Sequence, residues 1–339
     1  MNSTRQAMGV ATKLTQKNKL LYKNYLDQFN ISTHKELSDT VESFFSKNAK
    51  VNIAHPINEV KGSAGYLEKF LIPLFDSFEG LQRQDYVMIG GEYQGSEWVT
   101  STGYFYGNFV NPFLGIPPSG KMAFLRYGEF FKIVNDKVAE SYCFVGCAEL
   151  LIDLGLWPLD ASKGYEGVVP GPATHDGIVV ENSDILKSRK SADLVEEMCR
   201  KLGTEDRSIE SYWDRKMVWY GPGGLGTYST FSAFESFQVP FEKTFKGWGD
   251  AKKEDISGVG SNCKAGDGNY VFLCGWPQIT GVHVKNFLGI ETTNKRIYMR
   301  DCDWWRCKDG KILENWCMVD TLDLVLQLGR DVIAEINKD

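Results

Sequence analysis

The spacing of apolar residues changes from a helical to a strand pattern twice along the chain. In the first half, apolar positions three and four residues apart predict helices, and alternating apolar positions then predict strands. The helices are expected at 18–29, 33–45 and 62–78, and the strands at 86–91, 98–109, 121–134 and 137–147. Tight turns are expected at Gly90-Gly91 and Asn135-Asp136.

The second half repeats this order of elements. Helices are expected at 184–202, 208–215, 231–245 and 322–332, and strands at 256–262, 269–284, 295–307 and 311–319. Asp309-Gly310 predicts a tight hairpin between the last two strands. Each half therefore places helices before a curling antiparallel sheet, which predicts the α+β fold class.

Two segments, 113–155 and 287–329, are similar at a constant offset of 174 positions. Identical pairs include Phe113-Leu114-Gly115-Ile116 with Phe287-Leu288-Gly289-Ile290, Arg126 with Arg300, and Cys143 with Cys317. A gap-free offset of this length is typical of tandem domains and not of a short solenoid repeat.

The repeat predicts two copies of one domain. The first is expected at 18–163 and the second at 184–335, with a linker at 164–183. The linker is rich in Gly and Pro, and Pro170-Gly171-Pro172 would end any helix there.

Charge and composition exclude several classes of protein. A net charge of -6 argues against binding nucleic acid through a basic face. No apolar stretch reaches the length of about 18 residues that predicts a membrane span. Residues 1–19 are polar and basic, which predicts a disordered lead-in, with a targeting peptide as the alternative, and not a secretory signal. A cytoplasmic protein is therefore expected.

The cysteines favour buried thiols over a metal centre. The chain has eight cysteines and no CxxC pair. Without a secretory signal, free thiols packed as small apolar groups are the expected state. No metal and no cofactor are predicted.

Four segments of the second half, taken in order, resemble the SnoaL-like polyketide cyclase family of the nuclear transport factor 2-like superfamily. They are Trp219-Tyr220-Gly221-Pro222-Gly223-Gly224, Gly281 to Ile290, Asp309 to Trp316, and Leu326 to Gly329. The first half is similar through Leu114 to Lys121. The resemblance implies two tandem cone-shaped domains, each with helices packed on a curved antiparallel sheet around an apolar pocket.

The resemblance also implies how such a chain assembles and works. Domains of this family dimerise through their outer sheet faces, so a tandem chain could form a pseudo-dimer within itself, and a homodimer is the alternative. Family cyclases close a ring by an intramolecular aldol step without cofactor or metal. A small, largely apolar organic ligand is therefore the expected partner.

The family's acid and base residues carry over imperfectly. The resemblance places the family aspartate at Cys317, and at Cys143 in the first half, although a thiol is not a natural acid for an aldol step. The family's strand histidine falls at Asp303, with Glu129 in the first half. A further histidine and a further aspartate are kept as His283 and Asp320.

Strand alternation makes Asp303 the strongest candidate acid or base. Asp301, Asp303 and Trp305 share one face of their strand, and the intervening residues share the other. If that face lines a pocket, Asp303 is a desolvated carboxyl that can exchange protons; if it faces water, both aspartates are merely solvated. His283 on the preceding strand could approach Asp303, or be a buried histidine bonded to backbone.

Other residues have a functional and a structural interpretation. Asp320 is either a second acid or a cap for the closing helix. The candidate substrate-binding residues are Trp219, Tyr220, Trp305, Asn315 and Cys317. Core packing is the alternative for each of them.

The first half lacks counterparts of His283 and Asp320, so chemistry is expected in the second half. The first half is then a structural partner, or it has a separate site around His55 and Glu129. The favoured function is a cofactor-independent isomerase or cyclase that moves protons on a small, largely apolar carbonyl compound. A hydrolase or dehydratase (a lyase) on the same scaffold, and a non-catalytic ligand-binding or dimerisation module, are the alternatives.

Overall fold

The computed structural model describes residues 7–204, 206–248 and 259–338. The elements of the first half are β1 (Gly9–Val10), α1 (Lys13–Phe29), α2 (His34–Phe44), β2 (Phe45–Ile53), β3 (Asn58–Lys61), α3 (Gly62–Tyr66), α4 (Ile72–Ser77), β4 (Phe78–Tyr93), β5 (Ser96–Phe109), β6 (Met122–Val134), β7 (Lys137–Val145) and α5 (Cys147–Asp153). A π-helical turn, Leu67–Leu71, joins α3 to α4. The helix expected at 62–78 is therefore one helical segment with an irregular centre.

The second half has a similar order of elements. They are α6 (Ile185–Lys201), a 3₁₀ turn (Arg207–Tyr212), β8 (Trp213–Tyr220), β9 (Tyr228–Ser229), α7 (Phe231–Thr244), β10 (Phe245–Lys246), β11 (Ser261–Asp267), β12 (Tyr270–His283), β13 (Arg296–Lys308), β14 (Lys311–Val319), α8 (Thr321–Gln327) and α9 (Val332–Ile336). Each half thus combines helices with a mainly antiparallel sheet, which confirms the α+β class. The expected order is not strict, because β2 and β3 come before α3, and β8 and β9 come before α7.

The sheet is not purely antiparallel as expected. In each half the strand that follows the first helices pairs in parallel with the last strand: β2 with β7, and β8 with β14. The strands of both halves form one hydrogen-bonded path, because β1 pairs with β4 on one side and with β11 on the other. The N-terminal strand therefore bridges the two halves.

The expectation for the N-terminal segment is wrong for part of that segment. Residues 1–19 were expected to be a disordered lead-in, but β1 and α1 begin within them. Thr12 caps α1 by accepting hydrogen bonds from the backbone N–H groups of Leu14 and Thr15. Residues 1–6 lie outside the described part of the chain.

The turn expected at Gly90-Gly91 is also wrong, because both residues lie inside β4. A Cβ at Gly90 would come within 2.8 Å of the Thr15 methyl, and one at Gly91 within 2.4 Å of Ala265 Cβ. These glycines therefore allow α1 and the second half to approach the strand closely.

One strand of the second half begins later than expected. The prediction placed it at 256–262, but β11 spans Ser261–Asp267. Residues 256–258 lie outside the described ranges. The 3₁₀ turn likewise ends at Tyr212, and β8 replaces the end of the helix expected at 208–215.

Corresponding positions in the two halves share unusual geometry. Leu114 and Leu288 both have φ of 51°, and each begins a tight loop closed by a bridge, Phe113 with Ile116 and Phe287 with Ile290. A leucine at positive φ is uncommon, so its occurrence at both positions, 174 residues apart, indicates that the two loops share one backbone conformation.

The apolar core has two parts that lie on opposite faces of the sheet. The inner faces pack against the helices, through residues such as Phe131 and Trp305. The outer faces of the two halves pack on each other, with Phe130 and Trp304 stacked at 4.9 Å between ring centroids. Close packing is required there, because a Cβ at Gly128 would meet the Trp304 ring at 2.5 Å.

Seven of the eight cysteines are buried, and Cys199 is half-buried. Among the residues described, no helix combines the length and apolar character that a membrane crossing needs.

Candidate functional site

Strand β13 carries the candidate acid on the inner face of the second half. Asp303 lies opposite Leu273 of β12 and Cys317 of β14. Leu273 and Cys317 belong to the inner core, whereas the neighbouring Trp304 belongs to the outer one. The expected alternation is therefore present, and Asp303 lies on the side that the helices cover.

The carboxyl of Asp303 is held by one amide and surrounded by apolar groups. Asn315 Nδ2 donates to Asp303 Oδ1 at 2.9 Å, and also to the carbonyl oxygen of Trp304 at 3.2 Å. Burial raises the pKa of Asp303 to about 6, against the opposing effects of Asn315 and Cys317. Asp303 as a whole residue is nevertheless half-buried and not fully enclosed.

The aromatic residues expected to form a pocket wall divide between the two faces. Trp219 pairs with Asn315 on β14 and packs in the inner core with Trp305. Tyr220 lies on the opposite face, where its ring stacks on Trp316 at 5.3 Å and its hydroxyl donates to Glu314 at 3.4 Å. Tyr220 therefore does not face Asp303, because neighbouring strand residues point to opposite sides.

His283 is buried but lies far from Asp303, so the expected approach of the two side chains is wrong. The backbone N–H of His283 donates to the carbonyl oxygen of Lys295, which directly precedes β13 and lies eight residues before Asp303. At about 3.3 Å per strand residue, this places His283 roughly 26 Å along the sheet. His283 lies on the same face of the sheet as Asp303, but its position along the strands separates the two side chains.

The hydrogen bonds of the His283 ring define its neutral tautomer. The backbone N–H of Thr293 donates to His283 Nδ1 at 3.2 Å, so the ring proton lies on Nε2. Burial lowers the pKa of His283. Nε2 has no hydrogen-bond partner among the residues described.

Asp320 is the N-cap of α8 and joins the two halves. Its carboxylate accepts from Arg300 Nη1 at 3.0 Å, from the backbone N–H of Asp323 at 3.3 Å, and from the backbone N–H of His55 at 2.9 Å. Burial and the nearby Asp323 raise the pKa of Asp320 to about 6. These contacts fit the capping interpretation.

The first half holds a closed polar cluster where the second half has Asp303. Glu129 corresponds to Asp303 and accepts from Arg83 at 2.8 Å, from Tyr66 at 2.9 Å and from Tyr22 at 3.1 Å. The side chains of Arg83 and Glu129 are each 1% exposed. The cluster fills the inner face, and it leaves the Glu129 carboxylate fully engaged.

His55 does not join this cluster. Its backbone N–H contacts Asp320 of the other half, and burial lowers the pKa of its imidazole against the opposing charges of Asp323 and Asp331. The structure therefore does not bring His55 and Glu129 together as the two parts of one site.

A cavity that the sequence did not indicate lies at the helical side of the second half. It has a volume of about 530 Å³ and lies between the end of α6, the 3₁₀ turn and α7. Its walls include Phe231, Phe234, Phe245 and Trp248, and none of the predicted site residues. Phe231, Phe234 and Phe245 fall in the helix expected at 231–245, and none of the four rings was a predicted site residue.

Two contacts relate this cavity to the predicted residues. Phe234 lies 5.3 Å from the Trp219 ring, and Phe245 lies 5.7 Å from the His283 ring, between centroids.

Within the described ranges, no group of three or more His, Cys, Asp or Glu side chains is arranged to hold a metal ion.

Comparison with known families identifies the segment that carries these residues. Residues 273–328 match the family model described as SnoaL-like polyketide cyclase, which confirms the resemblance over β12, β13, β14 and α8. The matched segment includes His283, Asp303, Asn315, Cys317 and Asp320. No curated protein sequence matches the chain significantly.

Several solved structures are similar to part of the chain. A SnoaL-like protein from Jannaschia sp. CCS1 is 18% identical over 44% of this chain and 96% of its own, with a TM-score of 0.36. A SnoaL-like polyketide cyclase from Agrobacterium tumefaciens C58 is 17% identical over 41% and 98%, with a TM-score of 0.33. An NTF2-like protein from Burkholderia xenovorans LB400 is 15% identical over 42% and 97%, with a TM-score of 0.32.

Proposed function

We propose that the second half is a cofactor-independent isomerase or cyclase that moves protons on a small, largely apolar carbonyl compound, with Asp303 as the proton carrier. The single observation that supports this most is the half-buried Asp303 side chain on the face that the helices cover, where Asn315 donates to it at 2.9 Å and burial raises its pKa to about 6. The matched family segment contains this residue.

A carboxyl of this kind can act in both directions near neutral pH. Its ionised form removes a proton from the carbon next to a carbonyl group, and its protonated form returns a proton to carbon or oxygen. Asn315 fixes one carboxyl oxygen by its hydrogen bond and so orients the other. Because His283 lies far along the sheet, a small substrate at Asp303 would not reach it, and the proposal does not use it.

The proposed chemistry is limited to the second half. Glu129 occupies the position of Asp303 in the first half, but three donors already engage its carboxylate. A group held in this way is not available to a substrate, which supports a structural role for the first half.

The proposed domain organisation follows the repeat. We propose duplicated domains at 18–163 and 184–335, with 164–183 as the linker, packed as an intrachain pseudo-dimer through their outer sheet faces. The recurring positive φ of Leu114 and Leu288 and the stacking of Phe130 on Trp304 support this proposal.

Two other functions remain candidates on specific grounds. A hydrolase or dehydratase would use the same Asp303 carboxylate to activate water or to remove a proton before a leaving group departs. A non-catalytic binding module is favoured by Cys317, which stands where the family resemblance places an aspartate. The raised pKa of Asp303 supports the enzymes over the binding module.

The proposal can be tested without knowing the natural substrate. The full chain is incubated in D₂O with a panel of aryl ketones and 1,3-diketones, and exchange of the proton next to the carbonyl is followed by ¹H NMR. At least one compound should exchange faster than in buffer, and Asp303→Asn should lower that enzymatic rate by about 100-fold or more.

The matched control is Asp193→Asn, because that aspartate is about half exposed on α6 and should not change exchange. Equal rates for the wild type and Asp303→Asn would remove Asp303 from the chemistry. Esters and β-hydroxyketones in the same panel distinguish the hydrolase and dehydratase alternatives, and binding without any reaction would favour the non-catalytic module.

A further inference from the structure

Trp305 has a buried donor that no described group of the protein uses. The residue is 2% exposed, and its indole Nε1 has no hydrogen-bond partner among the residues that the structure describes. An indole N–H can only donate, and a donor left unpaired inside a protein lowers its stability. A phenylalanine would fill an apolar position without such a donor, so packing alone does not account for the indole.

The indole lies close to the candidate acid. Trp305 and Asp303 are two residues apart on one face of β13, which is about 7 Å along the strand. Trp305 also lies directly opposite Asn315, the residue that holds one oxygen of the Asp303 carboxyl. A small molecule at Asp303 is therefore within the length of the Trp305 side chain.

The other groups next to Asp303 offer no comparable donor. Asn315 uses its Nδ2 for Asp303 and for the carbonyl oxygen of Trp304. Cys317, which lies opposite Asp303, has a thiol that donates only weakly. Of these neighbours, Trp305 is the one with a strong donor left for a ligand.

The repeat gives independent support for a function of this indole. The position equivalent to Trp305 in the first half is Phe131, which is fully buried in the inner core. In that half, three donors already engage the Glu129 carboxylate. The unpaired donor and the less enclosed carboxyl therefore occur together in the second half, and neither occurs at the equivalent positions of the first.

We propose that Trp305 is a second catalytic residue, whose Nε1–H donates a hydrogen bond to the substrate's carbonyl oxygen while Asp303 takes the proton from the neighbouring carbon. This inference rests on the proposed function. The C–H bond breaks and its proton passes to the carboxylate, while its electron pair forms the C=C bond of an enolate and the carbonyl π electrons move onto oxygen. The indole stabilises that negative oxygen without losing its own proton, and the protonated carboxyl then returns the proton to carbon.

Trp305→Phe is the first test, because it removes the N–H and introduces the residue that the first half has at this position. The matched control is Trp213→Phe, because that indole is also buried with an unpartnered Nε1 in the described chain. Trp213 pairs with Ile312, which places it roughly 16 Å from Asp303 across the sheet. In the D₂O exchange assay, Trp305→Phe should lower kcat about 100-fold with KM changed less than about threefold, and Trp213→Phe should change neither.

Binding of an oxyanion gives a second measurement that does not depend on turnover. The probe is 4-nitrophenolate at pH 8, titrated into Asp303→Asn, whose amide stands in for the protonated carboxyl. The Trp305 indole resonance is identified in the ¹H–¹⁵N spectrum as the one missing from the Asp303→Asn/Trp305→Phe double variant. Its proton should shift downfield on binding, and the double variant should bind the probe about tenfold more weakly.

The results separate this inference from the proposed function. Loss of exchange in Asp303→Asn together with a normal kcat in Trp305→Phe would overturn the role of Trp305 and leave Asp303 as the base. Exchange at the wild-type rate in Asp303→Asn would overturn both. An equal loss of kcat in Trp305→Phe and Trp213→Phe would also overturn the role of Trp305, because disturbed packing would explain it.

The indole resonance decides the question if Trp305→Phe does not fold. It is then assigned in Asp303→Asn through nuclear Overhauser contacts within β13. An unshifted Trp305 resonance at saturating 4-nitrophenolate, whether or not the probe binds elsewhere, would overturn the proposal.

Discussion

Phe130 and Trp304 occupy equivalent positions, 174 residues apart, and their rings stack on each other with planes at 22°. A residue that contacts its own counterpart lies near the axis of a twofold arrangement, as in isologous dimers. The indole Nε1 of Trp304 also donates to Thr100 at 3.1 Å in the other half. This contact is therefore the centre of the proposed pseudo-dimer.

Replacing Trp304 should destabilise both halves together. Trp304→Ala removes a fully buried ring and should cost about 3–5 kcal/mol of unfolding free energy, measured by urea denaturation. Tyr298→Ala on the same strand is the control, because that ring is 43% exposed and should cost much less. Two separate unfolding transitions in the wild type, or a small loss in Trp304→Ala, would argue against a shared core.

The raised pKa of Asp303 predicts a stability that depends on pH. The folded protein binds the Asp303 proton more tightly than the unfolded chain, so this group lowers stability as pH rises from about 4 to about 6. Asp303→Asn removes that penalty and can keep the hydrogen bond from Asn315. The variant should therefore be more stable than the wild type at pH 8, by about 2–3 kcal/mol, and the difference should disappear near pH 4.

Thermal unfolding of both proteins between pH 4 and pH 8 measures this effect. Asp193→Asn should show no such dependence, because the residue is solvent-exposed. A variant that is less stable than the wild type at pH 8 would mean that Asp303 is held in its ionised form by stabilising contacts.

The corresponding substitution in the first half should lower stability at pH 8, whereas Asp303→Asn should raise it. Glu129→Gln leaves the buried Arg83 without its nearest charged partner at 2.8 Å and removes an acceptor from Tyr22 and Tyr66. Loss of one member of a buried ion pair costs about 3–5 kcal/mol. Urea denaturation at pH 8 measures the loss, and a neutral or stabilising effect would contradict the structural role assigned to Glu129.

Asp320→Asn separates a capping role from a catalytic one. The carboxylate accepts from Arg300, from His55 and from the first turn of α8, so losing these acceptor contacts should lower stability. At pH 8 the amide also removes the penalty of an ionised carboxyl whose pKa is raised to about 6, so the net loss should be larger near pH 5 than at pH 8. Proton exchange per folded molecule should be unchanged. Asp331→Asn, at the exposed N-cap of α9, is the control and should cost less. A stable Asp320→Asn variant with lost exchange would restore Asp320 as a second acid.

Local patterns predicted much of the fold because they depend on neighbouring residues. The hairpin at Asp309-Gly310 is an example: both residues have positive φ, at 50° and 72°, as this type of turn requires. The face shared by Asp303 and Trp305 follows from strand alternation in the same way. Periodicity also predicted most of the helices and the last four strands of each half, but not the short strands β1, β3, β9 and β10.

Long-range contacts could not be read from the same patterns. Gly90 and Gly91 have the residue type of a turn, but they are required for close approach to Thr15 and Ala265. His283 has the expected face, but it lies at the end of β12 opposite the start of β13, whereas Asp303 pairs with Leu273 ten residues earlier on β12. Register and tertiary approach depend on residues distant in sequence, which a single sequence does not specify.

The pH dependence of proton exchange tests the central claim most directly. The rate of exchange next to the carbonyl group of the best substrate in the panel is measured from pH 4.5 to pH 8 for the wild type and for Asp303→Asn. With Asp303 as the base, the wild-type rate should rise with pH and level off above an apparent pKa of about 6, and the variant should show neither the rate nor this transition. The same transition at full rate in Asp303→Asn would contradict the account.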